Sequence, residues 1–356
     1  MNRLVAAALA AAALVALAVA GWVVAAALAG EADVKADTAR QIKRLMAGEF
    51  MWQATVPLVA PADRPDDPCR AVKDPSIVRY KDRWHLFCTI RSKVRTHQVE
   101  YLSFAEWKDA AAAPRHVLKA SDGYFCAPQV FYFTPHKKWY LICQASDDRW
   151  QPKYQAAWST TADVADPGSW SALKPLGARQ AGGKSGLDFW IICDEAKAHL
   201  FFTTLDGRMW REETPLKDFP GGWSEPVLAI KGDIFEAAHT YALKGLGKYL
   251  TLVEAQGGRG WRYYKAYLAD RLDGHWKPLA ATREKAFASM ANTRQPDPRW
   301  TDCISHGELL RAGYDEKLEV DPADLRMVFQ GVLDADRVGK PYGNIPWRLG
   351  LLEPAP

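Results

Sequence analysis

Short apolar blocks separated by polar turns recur along the chain from Val72 to about Pro346. The clearest starts at Leu187, runs through Phe189-Trp190-Ile191-Ile192-Cys193, turns at Asp194 to Ala198 and returns as Leu200-Phe201-Phe202. Runs of this length, rich in β-branched and aromatic residues and bounded by turn residues, predict buried strands paired as hairpins. The design repeats in Asp74 to Tyr80 with Arg83 to Thr89, in Ala127 to Phe133 with Lys138 to Gln144, and in Phe235 to Leu243 with Lys248 to Glu254. A fifth, more degenerate hairpin is expected from Ile304 to Arg311, a turn near Gly313, and Leu318 to Val320.

After each of the first four hairpins and one further strand-like stretch comes a tryptophan: Trp107, Trp170, Trp223 and Trp276. A period of roughly 50 to 70 residues with about four strands per unit predicts blades of a β-propeller. A β-sandwich would also show many short strands, but it predicts no aromatic marker in each unit. The fold class is therefore all-β, a five-bladed β-propeller over residues 62–356. Helical periodicity after Arg70 is confined to Ala105 to Ala113 and Asp321 to Leu325.

The N-terminus breaks this pattern. Arg3 is followed by an almost unbroken apolar run from Leu4 to Ala29, ending in Ala27-Leu28-Ala29-Gly30. The small-x-small ending fits signal-peptidase cleavage, while about 26 apolar residues would also span a bilayer. Residues 1–30 are read as a signal peptide or membrane anchor, which places the rest outside the cytoplasm: secreted, periplasmic or anchored facing outward. Residues 31–61, polar and Ala-rich with a short helix expected from Ala36 to Ala47, are read as a linker.

Composition adds little constraint. Hydrophobic residues at 48% and charged residues at 25% are ordinary for a globular chain of 356 residues. A net charge of +4 without a Lys/Arg block gives no footprint for nucleic acid. Fifteen tryptophans supply core and platforms for flat ligands such as sugar rings. The cysteines Cys69, Cys88, Cys126, Cys143, Cys193 and Cys303 form no CxxC pair, so neither a zinc nor a redox motif is indicated, and buried thiols with one or two bridges are expected.

The chemistry lies where the strands begin. Asp74, Asp188 and Glu236 stand at or near the start of the predicted first strand in units one, three and four. In a propeller those strands line the central channel, so the three acids converge on one pocket. Each has a structural reading as well: Asp74-Pro75 makes a good turn or strand cap. A carboxylate between Leu187 and Phe189, or between Phe235 and Ala237, is harder to set aside, because burying it unpaired costs several kcal/mol. Carboxylates packed together shift one another's pKa, keeping one protonated beside an ionised neighbour, as glycoside hydrolysis requires. His306 would sit in the same ring, as a hydrogen-bonded structural residue or as an ion ligand.

The blocks Lys73-Asp-Pro-Ser76, Ala127 to Phe133, Asp188 to Asp194, Phe235-Glu236, Val253-Glu-Ala255, Ser305-His-Gly-Glu308 and Pro346 to Leu352 resemble glycoside hydrolase family 62. The resemblance runs in order from Val72 to Leu352. It implies a five-bladed propeller that removes arabinose side chains from arabinoxylan as an inverting, exo-acting α-L-arabinofuranosidase. It also implies Asp74 as general base, Glu236 as general acid, and Asp188 as the carboxylate that orients the acid and tunes its pKa. Lys73 and Tyr342 match sugar-contacting positions, and His306 matches a histidine associated with a structural calcium ion near the propeller axis. No cofactor is implied for the chemistry, and a monomer with a polysaccharide partner is expected. The stretch Ala145 to Trp150 departs from the family's aromatic platform, and Cys126, Cys143 and the Arg91 to Glu100 loop also differ. A β-xylosidase, an arabinanase or a noncatalytic glycan-binding propeller are the alternatives.

Overall fold

A computed structural model describes residues 34–177, 185–257 and 261–355. The expected signal or anchor over residues 1–30 lies outside them. Among the described residues no helix is long and apolar enough to cross a membrane.

Five sheets form the five blades. Their innermost strands are β1 (Cys69–Tyr80), β2 (Phe125–Phe133), β3 (Leu187–Cys193), β4 (Glu236–Leu243) and β5 (Ser305–Leu309). Blades one to four are built on four-stranded antiparallel meanders running outward in chain order from the predicted hairpin, and blade four carries a short fifth strand on its inner edge. The marker tryptophans follow the third strands, and Trp170, Trp223 and Trp276 are buried. Each covers core between a third and a fourth strand, which is why the spacing of this bulky apolar residue tracked the blades.

The fifth blade differs from the expected hairpin. β5 pairs with Met327–Gly331, not with Leu318 to Val320. Residues Glu319–Val320 instead add a short parallel strand to β4. The fifth sheet is completed by Arg348–Pro354 and then by Trp52–Ala54, from the other end of the chain. The linker expected over residues 31–61 therefore supplies a strand, and the propeller closes by pairing its two terminal segments. Trp52 makes that closure a packing event: it is 2% exposed, donates its indole N–H to Phe287 O at 2.6 Å and lies 5.1 Å from the Phe287 ring. A helix over 34–47 precedes this strand, and Leu45 anchors it in the core.

The stretch between β5 and Met327 closes one end of the channel. Tyr132, Cys193 and Ala242, at or near the ends of β2, β3 and β4, donate backbone N–H groups to Tyr314, Glu316 and Leu318 carbonyls at 2.8, 2.8 and 3.3 Å. Above this plug, Arg311 donates to Ile77 O and Val130 O at 2.8 and 2.7 Å and pairs with Glu308 at 2.8 Å, all in the interior. The opposite end, where the inner strands begin, is left for the site.

All six cysteines are free thiols, five of them buried. The expected bridges do not form; Cys88, Cys143 and Cys193 pack into three separate stretches of core, while Cys69 packs against the same cluster as Cys88 without bonding to it.

Candidate active site

Every inner strand is bulged near its start. The register slips between Lys73 and Ser76, Cys126 and Gln129, Leu187 and Trp190, Glu236 and His239, and Ser305 and Gly307. At the slip, Asp74, Ala127, Asp188 and Ala237 adopt φ of 49°, 49°, 53° and 51°, a left-handed conformation that costs an L-residue about 1–2 kcal/mol. Neighbouring blades hold it in place. Asp74 N–H donates to Gln330 Oε1 at 2.8 Å, Ala127 N–H to Thr89 Oγ1 at 2.8 Å, Ala237 N–H to Asp188 Oδ2 at 2.9 Å and His306 N–H to Glu254 Oε2 at 2.7 Å. In each case the acceptor comes from the preceding blade. Bulges of this kind re-aim side chains near sites. Here the left-handed residue and the one before it serve the channel mouth: Lys73 and Asp74, Cys126, Asp188, and Glu236.

The structure brings all six sequence-predicted residues together. Asp74 Oδ2 is 3.2 Å from Lys73 Nζ, and that ammonium donates to Tyr342 OH at 3.2 Å. His306 Nδ1 lies 3.3 Å from Asp74 Oδ1 and 3.8 Å from Asp188 Oδ2. Ligand atoms of Asp188, Glu236 and His306 all lie within 4.8 Å of one another. Asp74, Asp188, Lys73 and His306 are buried, whereas Tyr342 is 46% exposed at the rim. Beneath His306, the His239 ring meets it edge-on at 5.2 Å, stacks on Trp190 at 4.1 Å and hydrogen-bonds Gly307 O at 2.8 Å. Burial and the neighbouring His306 hold His239 well below the usual imidazole range, so this floor is neutral.

The acids are electrostatically unlike. Burial would raise Asp74, but the Lys73 ammonium, His306 and hydrogen bonds from Thr89 and Lys73 outweigh it and hold the carboxyl at about 2. Burial raises Asp188 well above the usual carboxylate range, and the charges of Glu236 and Asp74 push it further. Asp188 and Glu236 are thus the two acids that crowd one another, with ligand atoms within 4.8 Å.

Several site residues were missed in the sequence. Arg262 donates to Glu236 Oε1, to Glu254 Oε1 at 3.1 Å and to Ser305 Oγ at 3.2 Å. Its guanidinium lies 4.7 Å from the Phe235 ring and 5.5 Å from Trp347. Burial lifts Glu254 to about 7 against the pull of Arg262. Glu254 had a signal, as an acid between Val253 and Ala255. Arg262 had one only through register: it pairs with Gln256, two residues beyond Glu254, and so shares its face. Cys126 is a neutral thiol, pushed by burial to about 12, with Tyr124 OH at 3.1 Å. His97 stands beside Tyr124 at 5.1 Å between ring centres and is held at about 4 by burial and by Lys73. Trp150 is half-buried against the core of blade two.

The Glycosyl hydrolase family 62 model matches residues 52–353, from the closing strand to the last. Alpha-L-arabinofuranosidase C of Cellvibrio japonicus (strain Ueda107) is 39% identical over 308 residues, covering 85% of this chain and 46% of that protein. The chain thus spans about half the length of that curated relative. The catalytic domain of the Coprinopsis cinerea family 62 α-L-arabinofuranosidase superposes with a TM-score of 0.80 at 34% identity, covering 86% of this chain and 98% of that one. The Podospora anserina α-L-arabinofuranosidase, solved in complex with cellotriose, gives 0.78 at 36% identity, covering 86% and 97%. With the fold, the converging acids and these matches in agreement, the chain belongs to glycosyl hydrolase family 62.

Proposed function

We propose that the chain is an inverting, exo-acting α-L-arabinofuranosidase that releases arabinose side chains from arabinoxylan or a related arabinose-bearing polysaccharide. The observation that carries this reading is the convergence of three carboxyl groups in unlike settings at one channel mouth: Asp74 beside the Lys73 ammonium at 3.2 Å, and Asp188 and Glu236 with ligand atoms within 4.8 Å of one another, where burial and the neighbouring acids raise Asp188. Asp74 accepts a proton from the attacking water. Glu236 protonates the departing glycosidic oxygen, and Asp188 beside it orients that acid and tunes its pKa. Lys73 and Tyr342 hold the sugar at the base side. Inversion follows when water attacks the face opposite the leaving group in a single displacement.

A structural calcium ion at His306 fits these residues poorly. Calcium takes roughly six to eight oxygen ligands. Among the described residues Asp188, Glu236 and His306 offer one ligand atom each, one of them nitrogen, and both carboxylates serve the reaction. No step is routed through an ion. The apolar run over residues 4–29 supports action outside the cytoplasm, by export or by anchoring.

The test is Glu236→Gln on two substrates. An aryl arabinofuranoside has a leaving group that needs little protonation, so the loss there should be far smaller than the loss of about 10²–10⁴-fold on arabinoxylan. Asp74→Asn should abolish both. Equal losses for Glu236→Gln on both substrates would remove Glu236 from the acid role.

A further inference from the structure

On the Glu236 side of the mouth, a cavity of about 350 Å³ opens between blade four and blade five. Arg262 lines it and also grips Glu236, so one guanidinium forms the wall between the cavity and the proposed acid. Across it stand Trp261, Arg283, Ser289, Met290 and Asp302. Trp261 begins the third strand of blade four and remains 43% exposed. Its cross-strand partner is Gly257, which has no side chain to cover the indole. The Arg283 guanidinium lies over the ring at 4.5 Å and fixes its orientation. The result is an oriented aromatic surface edged by hydroxyl, carboxylate and guanidinium groups, the composition that binds a sugar ring by stacking and hydrogen bonding.

We propose that this cavity is a leaving-group subsite in which Trp261 stacks on a main-chain sugar of the polysaccharide. The inference rests on the reading of Glu236 as acid. The group that Glu236 protonates is the one that departs, so the sugar beyond the scissile oxygen lies on the Glu236 side, away from Lys73, Asp74 and Tyr342. In blade two the corresponding loop carries Trp150, half-buried against that blade's core. Trp261 is thus a positioning residue for the polymer.

The experiment uses the full chain and xylohexaose, an unsubstituted β-1,4 oligosaccharide that cannot be turned over by arabinose release. Calorimetry should show Trp261→Ala binding it about tenfold more weakly than the parent, the loss expected from truncating a central aromatic contact. Trp261→Phe should recover most of the affinity, which separates a stacking role from loss of folding. In parallel, Trp261→Ala should raise KM on arabinoxylan more than it lowers kcat and lose more activity on the polymer than on an aryl arabinofuranoside. Equal affinity of parent and Trp261→Ala for xylohexaose, or no binding by the parent, overturns the subsite. Failure of the parent to cleave the aryl arabinofuranoside would instead overturn the arabinofuranosidase reading, and the xylohexaose affinities would still judge the cavity.

Discussion

Asp74 and Asp188 occupy the same place in their strands, with φ of 49° and 53°, yet they sit at opposite ends of the carboxylate range. The residue before each decides the outcome. Lys73 puts an ammonium 3.2 Å from Asp74, whereas Leu187 gives Asp188 nothing to offset burial. Linkage gives the two groups opposite signs. The lowered Asp74 contributes stability above its unfolded value of 3.8 and loses it as pH falls through about 2. The raised Asp188 contributes stability below 3.8 and loses it as pH rises through its folded value. Asp188→Asn keeps an acceptor for Ala237 N–H but cannot ionise. Its melting temperature should therefore exceed the parent's by about 2–4 °C at pH 8, with a smaller difference at pH 5. Arabinose release should fall. Scanning calorimetry at the two pH values checks this, and a variant less stable than the parent at pH 8 would contradict it.

At the scale of elements, the closing strand Trp52–Ala54 pairs with both Arg348–Pro354 and Thr293–Arg294, tying the ends of the ring together. Trp52→Ala removes a nearly fully buried indole and its hydrogen bond, and should cost about 3–5 kcal/mol, read as a lowered denaturant midpoint at unchanged slope. A shift of under 1 kcal/mol would mean that the strand is not what holds the ring closed. The first four hairpins were legible because each blade is built from consecutive residues whose apolar runs are interrupted only by tight turns. The fifth was not, because its strands come from three parts of the chain and the plug segment intervenes between β5 and its partner. The acids were legible for a related reason: a carboxylate inside an apolar run is costly anywhere, so it marks itself. Arg262 and Gln330 reach the site from second and third strands, and their relevance depends on register and on which blade stands next to which. Neither is written in local periodicity.

The whole molecule is a ring with one working end. The segment 312–320 and the Glu308 to Arg311 pair fill the other end, while the five bulges turn the first residues of the inner strands toward the open mouth. Burial raises Glu308 to about 7, with Arg311 opposing, so the pair is a structural filling remote from the chemistry. In the proposed mechanism the base side of the mouth belongs to blade one and the acid side to blade four, and the proposed Trp261 subsite extends the acid side outward. That division requires water to arrive and the leaving group to depart on opposite faces of the sugar. Time-resolved proton NMR of arabinose released from arabinoxylan tests it most directly: the account predicts that β-L-arabinofuranose appears first and only later equilibrates, whereas first appearance of the α-anomer would contradict it.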